Sequence, residues 1–556
     1  MVIRRSIESA FIFEAHLSNT LDNHYTEKMT PSQEDLFPVV IIGGGLAGLT
    51  AAAHLAERGV PPLVLDADSL WSGGRLAGGA PDTFEYGGRV WSFDSEHGVH
   101  ALWGGYVNMR ATLERYTDVE LHESSGEEWI NRWRREVRTV EAGRAVRWGW
   151  LPAPFHYLSL LLYPRFWRTI TPLDFLSLPG FLFSILWTVG LDPIGEQVAL
   201  DGLTMDEYFR GWTPNLRATF TGLGVNLLAA PAEDISLTAF IAAIRFYTML
   251  RRDAWQPCYL PDNPHKTVIQ PLVEFIEARG GKVQRGAEAQ TIERGGAGWR
   301  IVVQDSASRG QRSVWAKQVI LATNAPGAKR LLVNSPDTAT EAEKLRFPGT
   351  VRNATVRLWF DAAPREGTAG GMFTGDFLPD NFFWLHRLYD DFHEWHTVTG
   401  GSAIEVHLYA NDSVLEQADN VLLIRCVDDV QRAFPELKGH FLRGVVRRNS
   451  RVHTQFRVPT KDSLQVQTPW PDVYACGDWI GYPSPAFWME RACTTGIAAA
   501  NHALEANSCE PFPVHQPQQP EGLVRGMAFL AWVFRKTVGR VLLGVARGIR
   551  RLTTRG

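Results

Sequence analysis

The chain has 556 residues, 45% of them hydrophobic and 21% charged, and a formal net charge of −4. These values exclude a disordered or fibrous protein and supply enough apolar surface for two or three cored domains. Five cysteines, Cys258, Cys426, Cys476, Cys493 and Cys509, are scattered without a CxxC spacing, which excludes a disulfide framework, a zinc ribbon or an iron–sulfur cluster.

Residues 1–36 lack the apolar stretch and small-residue cleavage site of a secretory signal. They read as a flexible leader on a protein folded in the cytoplasm, with Met29 an alternative start. From residue 38, PVVIIGGGLAGLTAAAHLAERGVPPLVLDADS predicts a strand over 39–42, a glycine turn, a helix over 46–58 and a second strand over 62–65. Gly43, Gly45 and Gly48 fill GxGxxG: the first permits the tight turn, the second lets a pyrophosphate approach the backbone, and the third packs helix on strand. Asp66 closes the second strand, where a carboxylate accepts ribose hydroxyls. Strand, turn, helix, strand and acid in register predict a dinucleotide site, which the glycine motif alone would not.

Within 151–191, the uncharged run from Phe175 to Leu191 is too short, and with Pro179-Gly180 inside it too broken, for a membrane-spanning helix. An interfacial helical pair lining an apolar channel and an ordinary helical core both fit this stretch, because periodicity does not separate them. Residues 268–292 predict a helix ended by Gly280-Gly281 and then a strand, and 317–323, KQVILAT, predict another buried strand. RGGAGW at 294–299 imitates a nucleotide loop, but a strand follows it, so it is a hairpin turn. With no NAD(P) domain left to find, electrons must leave to a separate acceptor. His393-Glu394-Trp395-His396 falls one residue short of HExxH, and His97 with His100 lacks a third ligand, so no metal is expected. PDVYACGDW, 471–479, predicts a strand running into Gly477-Asp478, with a helix beginning near Pro485.

After a proline-rich linker over 507–520, residues 521–556 read as a separate appendage. At about 100° per residue, Arg525, Lys536, Arg540, Arg547, Arg550 and Arg551 fall on one side of a helix, opposite Leu523, Met527, Leu530, Phe534, Val538, Val541, Val545, Ile549 and Leu552. Interior glycines weaken such a helix by about 1 kcal/mol each in water. Each basic residue near an anionic membrane returns about 1 kcal/mol, so the tail is expected to form its helix on a membrane surface. A nucleic-acid patch and a helix docked on its own protein are the other readings of the tail; of the two partners, the membrane is the one expected and nucleic acid is not.

Ser72-Gly73-Gly74-Arg75 resembles the GGR element of flavoproteins of the amine oxidase and carotenoid desaturase superfamily. The likeness continues through 84–116, DGLTMDEYFRGW (201–212), GSAIEVHLYANDS (401–413) and VRRNSRVHTQFRVPT (446–460) to the Met489-Glu490 pair. From 37 to about 505 the chain is similar to flavin-dependent carotenoid and isoprenoid desaturases of the zeta-carotene and carotene ring desaturase type. Arg491 stands where that family commonly has glycine. The resemblance implies an α/β fold: a Rossmann-like FAD-binding domain over 37–125, 255–330 and 450–506, an inserted α+β substrate domain over 126–254 and 331–449, and a C-terminal amphipathic helix. It implies that Gly73, Gly74 and Arg75 meet the FAD pyrophosphate and that Ala289, where the family usually has valine, holds the adenine through its backbone. It also places Gly477 and Asp478 at the ribitol, and Met489 at a helix N-terminus facing the flavin. His97 and His100 fall in the flavin-side segment, as structural residues or proton carriers.

The activity implied is dehydrogenation of a membrane-resident isoprenoid or carotenoid by hydride transfer to flavin N5, with a quinone or oxygen as electron acceptor. The setting implied is a cytoplasmic, peripheral membrane protein. A reduced-flavin carotenoid isomerase, a hydroxysqualene dehydroxylase-like enzyme, another oxidase of the amine oxidase superfamily, and an FAD-containing carotenoid-binding protein are the alternatives.

Overall fold

The computed structural model describes residues 36–124, 126–133, 136–141, 143, 150–296 and 298–537. Most of the expected leader and residues 538–556 of the expected tail, from Val538 through Leu552, lie outside the described residues. Seven strands form the first sheet: β1 (Leu36–Ile42), β2 (Leu63–Leu65), β3 (Lys282–Gln284), β4 (Ala287–Gly295), β5 (Gly298–Asp305), β6 (Gln311–Leu321) and β7 (Val473–Ala475). Their order is β3-β2-β1-β6-β5-β4, with β7 also paired to β6. β1 is parallel to β2 and β6, in a register that sets Val40 beside Leu63 and Ile42 beside Leu321. Val39, Val40 and Ile41 are fully buried, as expected of a central parallel strand covered on both faces. β4 and β5 pair antiparallel as far as Gly295 beside Gly298, as a hairpin requires.

Five helices bear on the site: α1 (Leu46–Glu57), α2 (Val107–Tyr116), α3 (Leu178–Gly190), α4 (Trp488–Ala506) and α5 (Gly522–Lys536). α1 is buried over nearly its whole length because the sheet covers one side and α4 another. A buried carboxylate joins α4 to α2: Glu490 accepts bonds from the backbone N–H of Asn108 and of Met109, both at 2.9 Å, at the start of α2.

A second seven-stranded sheet runs in the order Phe441–Thr454, Thr350–Phe360, Ser402–Leu408, Asn381–Trp384, Gly370–Gly375, Glu127–Trp133, Glu136–Glu141. Its third strand, Ser402–Leu408, is buried at every residue.

Two expectations change. The 175–191 stretch is not broken: a 3-10 turn over Pro172–Ser177 leads directly into α3, giving a helical run over Pro172–Gly190. Pro172 and Pro179 both sit at helix N-termini, where a missing N–H costs no bond. This run does not line the large cavity, and only its C-terminal end joins the core: Val189 is buried with Ile185 and Trp187 packed beside it, whereas Phe175, Leu176, Leu182, Phe183 and Leu186 are exposed. The second change concerns the tail, which is no free appendage over its described part. The 507–520 segment is pinned to the body, His515 exchanging bonds with the Asn108 side chain at 2.8 Å in both directions. α5 then packs on α3 through Ala531 and Gly190, and Arg535 pairs with Glu196. Val524 is buried, whereas Leu523, Phe529, Leu530, Trp532 and Phe534 face outward.

Candidate cofactor and substrate site

The carboxyl ends of β1 and β2 open on a cavity of about 690 Å³, the position at which parallel sheets hold nucleotides. The three motif glycines divide the work there. A Cβ on Gly43, whose φ is +119°, would lie 2.5 Å from the Ala322 carbonyl oxygen, and one on Gly48 would lie 2.1 Å from that of Gly43. Those two are demanded by the fold itself. A Cβ on Gly45 would meet nothing closer than Gly73 O at 4.0 Å. Gly45 therefore keeps a space clear at the N-terminus of α1, where no side chain caps the helix. An uncapped N-terminus facing a cleared space suits a phosphate.

Gly73 donates its N–H to the Gly44 carbonyl at 2.8 Å, which lays the 73–75 turn along the glycine loop. Arg75 extends across the cavity, its Nη2 2.6 Å from Asp478 Oδ2. Asp478 follows β7 and the Gly477 turn, whose N–H donates to Thr495 Oγ1 of α4 at 2.9 Å. At the other end, Asp66 Oδ1 accepts the Asp68 N–H at 3.2 Å, while its buried Oδ2 has no close partner. Burial pushes the Asp66 carboxyl up to about 6, against the pull of the Asp68 amide and Ser72. An orphaned carboxylate oxygen beside a glycine loop fits a ribose diol. Ala289 lines the cavity beside a register shift in the β4–β5 pairing, between Ala289 and Thr291.

α4 begins at Trp488 rather than near Pro485. The cause is Arg491, fully buried, whose guanidinium donates to the carbonyls of Ile480, Tyr482, Ser484 and Ala486. Those carbonyls are thereby held out of helical geometry. Trp488 enters the helix with φ +48°, and it lines the cavity with Met489 and Ala492. A bulky residue in that region stores on the order of 1–3 kcal/mol, the kind of strain that clusters at ligand sites.

His97 and His100 both line the cavity, with His97 Nε2 and His100 Nδ1 unpartnered. Burial, aided by the Arg75 charge, lowers His97 to about 4 and His100 to about 3. His453, tilted against Trp488 with ring centres 4.8 Å apart, is lowered chiefly by burial in the same way. All three are neutral acceptors or donors at neutral pH.

Sequence reasoning missed the far wall. Glu405, His407 and Tyr409 form a hydrogen-bonded row on one strand and its end, and His407 and Tyr409 line the cavity. The signal was present in GSAIEVHLYANDS, where polar residues alternate with apolar ones inside a strand. Among the described residues, three carboxylates do cluster, Asp94, Asp262 and Asp391, but Lys266 Nζ sits 2.5 Å from Asp94 and 3.4 Å from Asp262.

The family profile for flavin containing amine oxidoreductase matches residues 199–504, and that for an NAD(P)-binding Rossmann-like domain matches 41–116. The chain is 27% identical over 481 residues to a carotenoid phi-ring synthase of Streptomyces griseus, covering 84% of this chain and 87% of the relative. It is 24% identical over 277 residues to a 15-cis-phytoene desaturase of Narcissus pseudonarcissus, a match that spans 44% of that relative. Among solved structures, cyclohexylamine oxidase from Brevibacterium oxydans IH-35A superposes with a TM-score of 0.61 at 15% identity, covering 85% of this chain and all of the other. At that identity the likeness speaks for the fold.

Proposed function

Since the chain belongs to the flavin containing amine oxidoreductase family and is an FAD-dependent oxidoreductase, we propose that it dehydrogenates a carotenoid or related isoprenoid hydrocarbon at a membrane surface. The observation that carries this reading is the similarity to a carotenoid phi-ring synthase along nearly the full length of both chains. In this reading the FAD domain comprises 37–125, 255–330 and 450–506, and the substrate domain comprises 126–254 and 331–449.

FAD, when bound, supplies the two-electron oxidation of a C–H bond. The chain's own part is placement and shielding. Gly45, Gly73 and Gly74 with the α1 N-terminus would hold the pyrophosphate, and Arg75 would neutralise it. Asp66 would accept the ribose hydroxyls, Ala289 would meet the adenine, and Gly477 with Asp478 would take the ribitol. Met489, at the start of α4, would border the ring system, and neutral His97 and His100 would present polar atoms to it without adding charge.

The exposed apolar residues of the Pro172–Gly190 run and of α5 form adjoining faces, because the two helices pack together. Arg535 and Lys536, both paired with Glu196, stand at the end of α5. This platform would seat the protein peripherally on a membrane where a hydrocarbon substrate resides. A membrane quinone or oxygen would then accept the electrons, with the protein on the cytoplasmic side.

Anaerobic mixing of the holoenzyme with carotenoid-loaded vesicles should bleach the oxidised-flavin absorbance, and the product should be lighter by two hydrogens. Turnover that needs prereduced flavin and leaves the substrate mass unchanged would replace dehydrogenation with isomerisation.

A further inference from the structure

Glu405, His407 and Tyr409 are alternate residues on and just beyond the Ser402–Leu408 strand, so their side chains project to one side. His407 Nε2 lies 3.0 Å from Glu405 Oε1, and His407 Nδ1 lies 3.0 Å from Tyr409 Oη. Glu405 is completely buried, and its remaining oxygen receives Arg357 Nη2 at 3.0 Å and Nε at 3.2 Å. Its Oε1 also accepts the Val99 N–H at 2.9 Å. Burial works against the Glu405 charge, but Arg357, His407 and that amide hold the carboxyl well below its usual range. The neighbouring Glu96, buried beside Glu405, is driven the other way. One carboxylate of the pair is thus ionised, and it is the one facing His407.

These contacts fix the proton positions. An ionised carboxylate is acceptor-only, so the neutral His407 ring carries its proton on Nε2 and donates it to Glu405. His407 Nδ1 is then an acceptor, and the Tyr409 hydroxyl donates to it. The Tyr409 hydroxyl lines the cavity beside Asn381, which hydrogen-bonds with it and whose Oδ1 is buried without a partner. The order is that of an acid, an imidazole and a hydroxyl in which the carboxylate orients the ring and stabilises its protonated form.

We infer that Tyr409, through His407 and Glu405, is the proton acceptor of the dehydrogenation, an inference that rests on reading this cavity as the site of C–H oxidation. FAD, when bound, would be the oxidant that takes the hydrogen and electron pair of one substrate C–H bond. The adjacent C–H bond breaks with its electron pair forming the new C=C bond and its proton moving to Tyr409 Oη. Tyr409's own proton passes to His407 Nδ1, and the imidazolium is balanced by Glu405. Tyr409 is never released as a free phenolate, which matters because burial pushes its hydroxyl well above the usual phenol range. The groups that set the acid limb are Glu405 and Tyr409 on the same strand, Asp380 behind Tyr409, His100 and Glu96 from the flavin-side segment, and Arg357 from the neighbouring strand.

Two arms test this on the holoenzyme. The first is nuclear magnetic resonance with isotopically labelled histidine nitrogen, the His407 signal being assigned by its loss in His407→Gln. The inference requires an Nε2-protonated ring whose Nδ1 resonance shifts in Tyr409→Phe; an Nδ1-protonated ring overturns it. The second uses β-carotene in phosphatidylcholine vesicles as the probe and follows anaerobic flavin bleaching. Tyr409→Phe and His407→Gln should retain FAD and probe binding but slow bleaching about 10²-fold, as loss of general-base catalysis does, and should flatten the acid limb and the solvent deuterium effect. Bleaching by both variants at the wild-type rate with an unchanged pH profile overturns the inference and leaves the oxidation reading standing. A wild-type protein that binds β-carotene without bleaching counts against that reading instead, and the resonance arm then decides the relay by itself.

Discussion

Arg75 and Asp478, from opposite ends of the chain, meet at 2.6 Å across the cofactor cavity, with Asp478 almost wholly buried. Each holds the other in place, so each reports on the other's role. Removing one leaves a charge in the cavity with no protein partner. Asp478→Ala and Arg75→Ala should each weaken FAD retention roughly tenfold or more, since a charged bond is worth about 1.5–3 kcal/mol. The double variant should cost less than the sum. FAD content after gel filtration measures this; fully additive losses would show that the pair does not act as a unit.

The glycines of the first turn separate folding from binding. Gly48→Ala places a methyl 2.1 Å from the Gly43 carbonyl, so it should lower the melting temperature with or without FAD. Gly45→Val should leave far-UV circular dichroism and the melting of the FAD-free protein nearly unchanged while abolishing the yellow colour. Stoichiometric FAD in Gly45→Val would displace the pyrophosphate from this loop.

Asp66 should make FAD binding depend on pH. Its carboxyl titrates near 6 in the FAD-free fold, and only the ionised form accepts two ribose hydroxyls. Binding should therefore release a proton in this range, and the dissociation constant should rise as pH falls through 6. For the FAD-free fold the sign is opposite. A group raised above its ordinary value of 3.8 keeps its proton longer in the fold than in the unfolded chain, so its contribution is present below 3.8 and lost as pH rises through about 6. Asp66→Asn should flatten both profiles, as calorimetry and FAD titration at several pH values would show.

Replacing Phe183, Leu186, Phe529 and Leu530 by serine removes four exposed apolar groups from the α3–α5 face. At about 1.5–3 kcal/mol for each fully buried large side chain, partitioning onto anionic vesicles should fall by more than tenfold, with FAD content unchanged. Added salt should weaken the intact protein's binding as well. Unaltered vesicle binding by the fourfold variant would exclude this face as the seat.

The nucleotide half of the site was legible because its signals are local. β1, α1 and β2 are punctuated by glycines whose spacing is a property of the chain, and Asp66 follows at a fixed distance. The start of α4 was misplaced because Arg491 reaches back to carbonyls at 480–486, a tertiary act that no local propensity records. The docking of α5 on α3 depends on the close approach of Gly190 and Ala531, which periodicity does not encode. Likewise, Glu405, His407 and Tyr409 were passed over, because only the sheet shows that this face of the strand meets the segment carrying His97 and His100.

The first sheet is closed by strands from three distant stretches of chain: β1 leans on β6, β7 pairs with β6, and α1 lies under α4. During synthesis the glycine loop leaves the ribosome long before Asp478 and α4 exist. The apolar surface of α1 must then wait uncovered while the whole second sheet is made, a topology that folds slowly and exposes aggregation-prone intermediates. The site is consequently completed only when β7 and α4 have joined β6 and α1, and free FAD should then stabilise the finished fold by mass action.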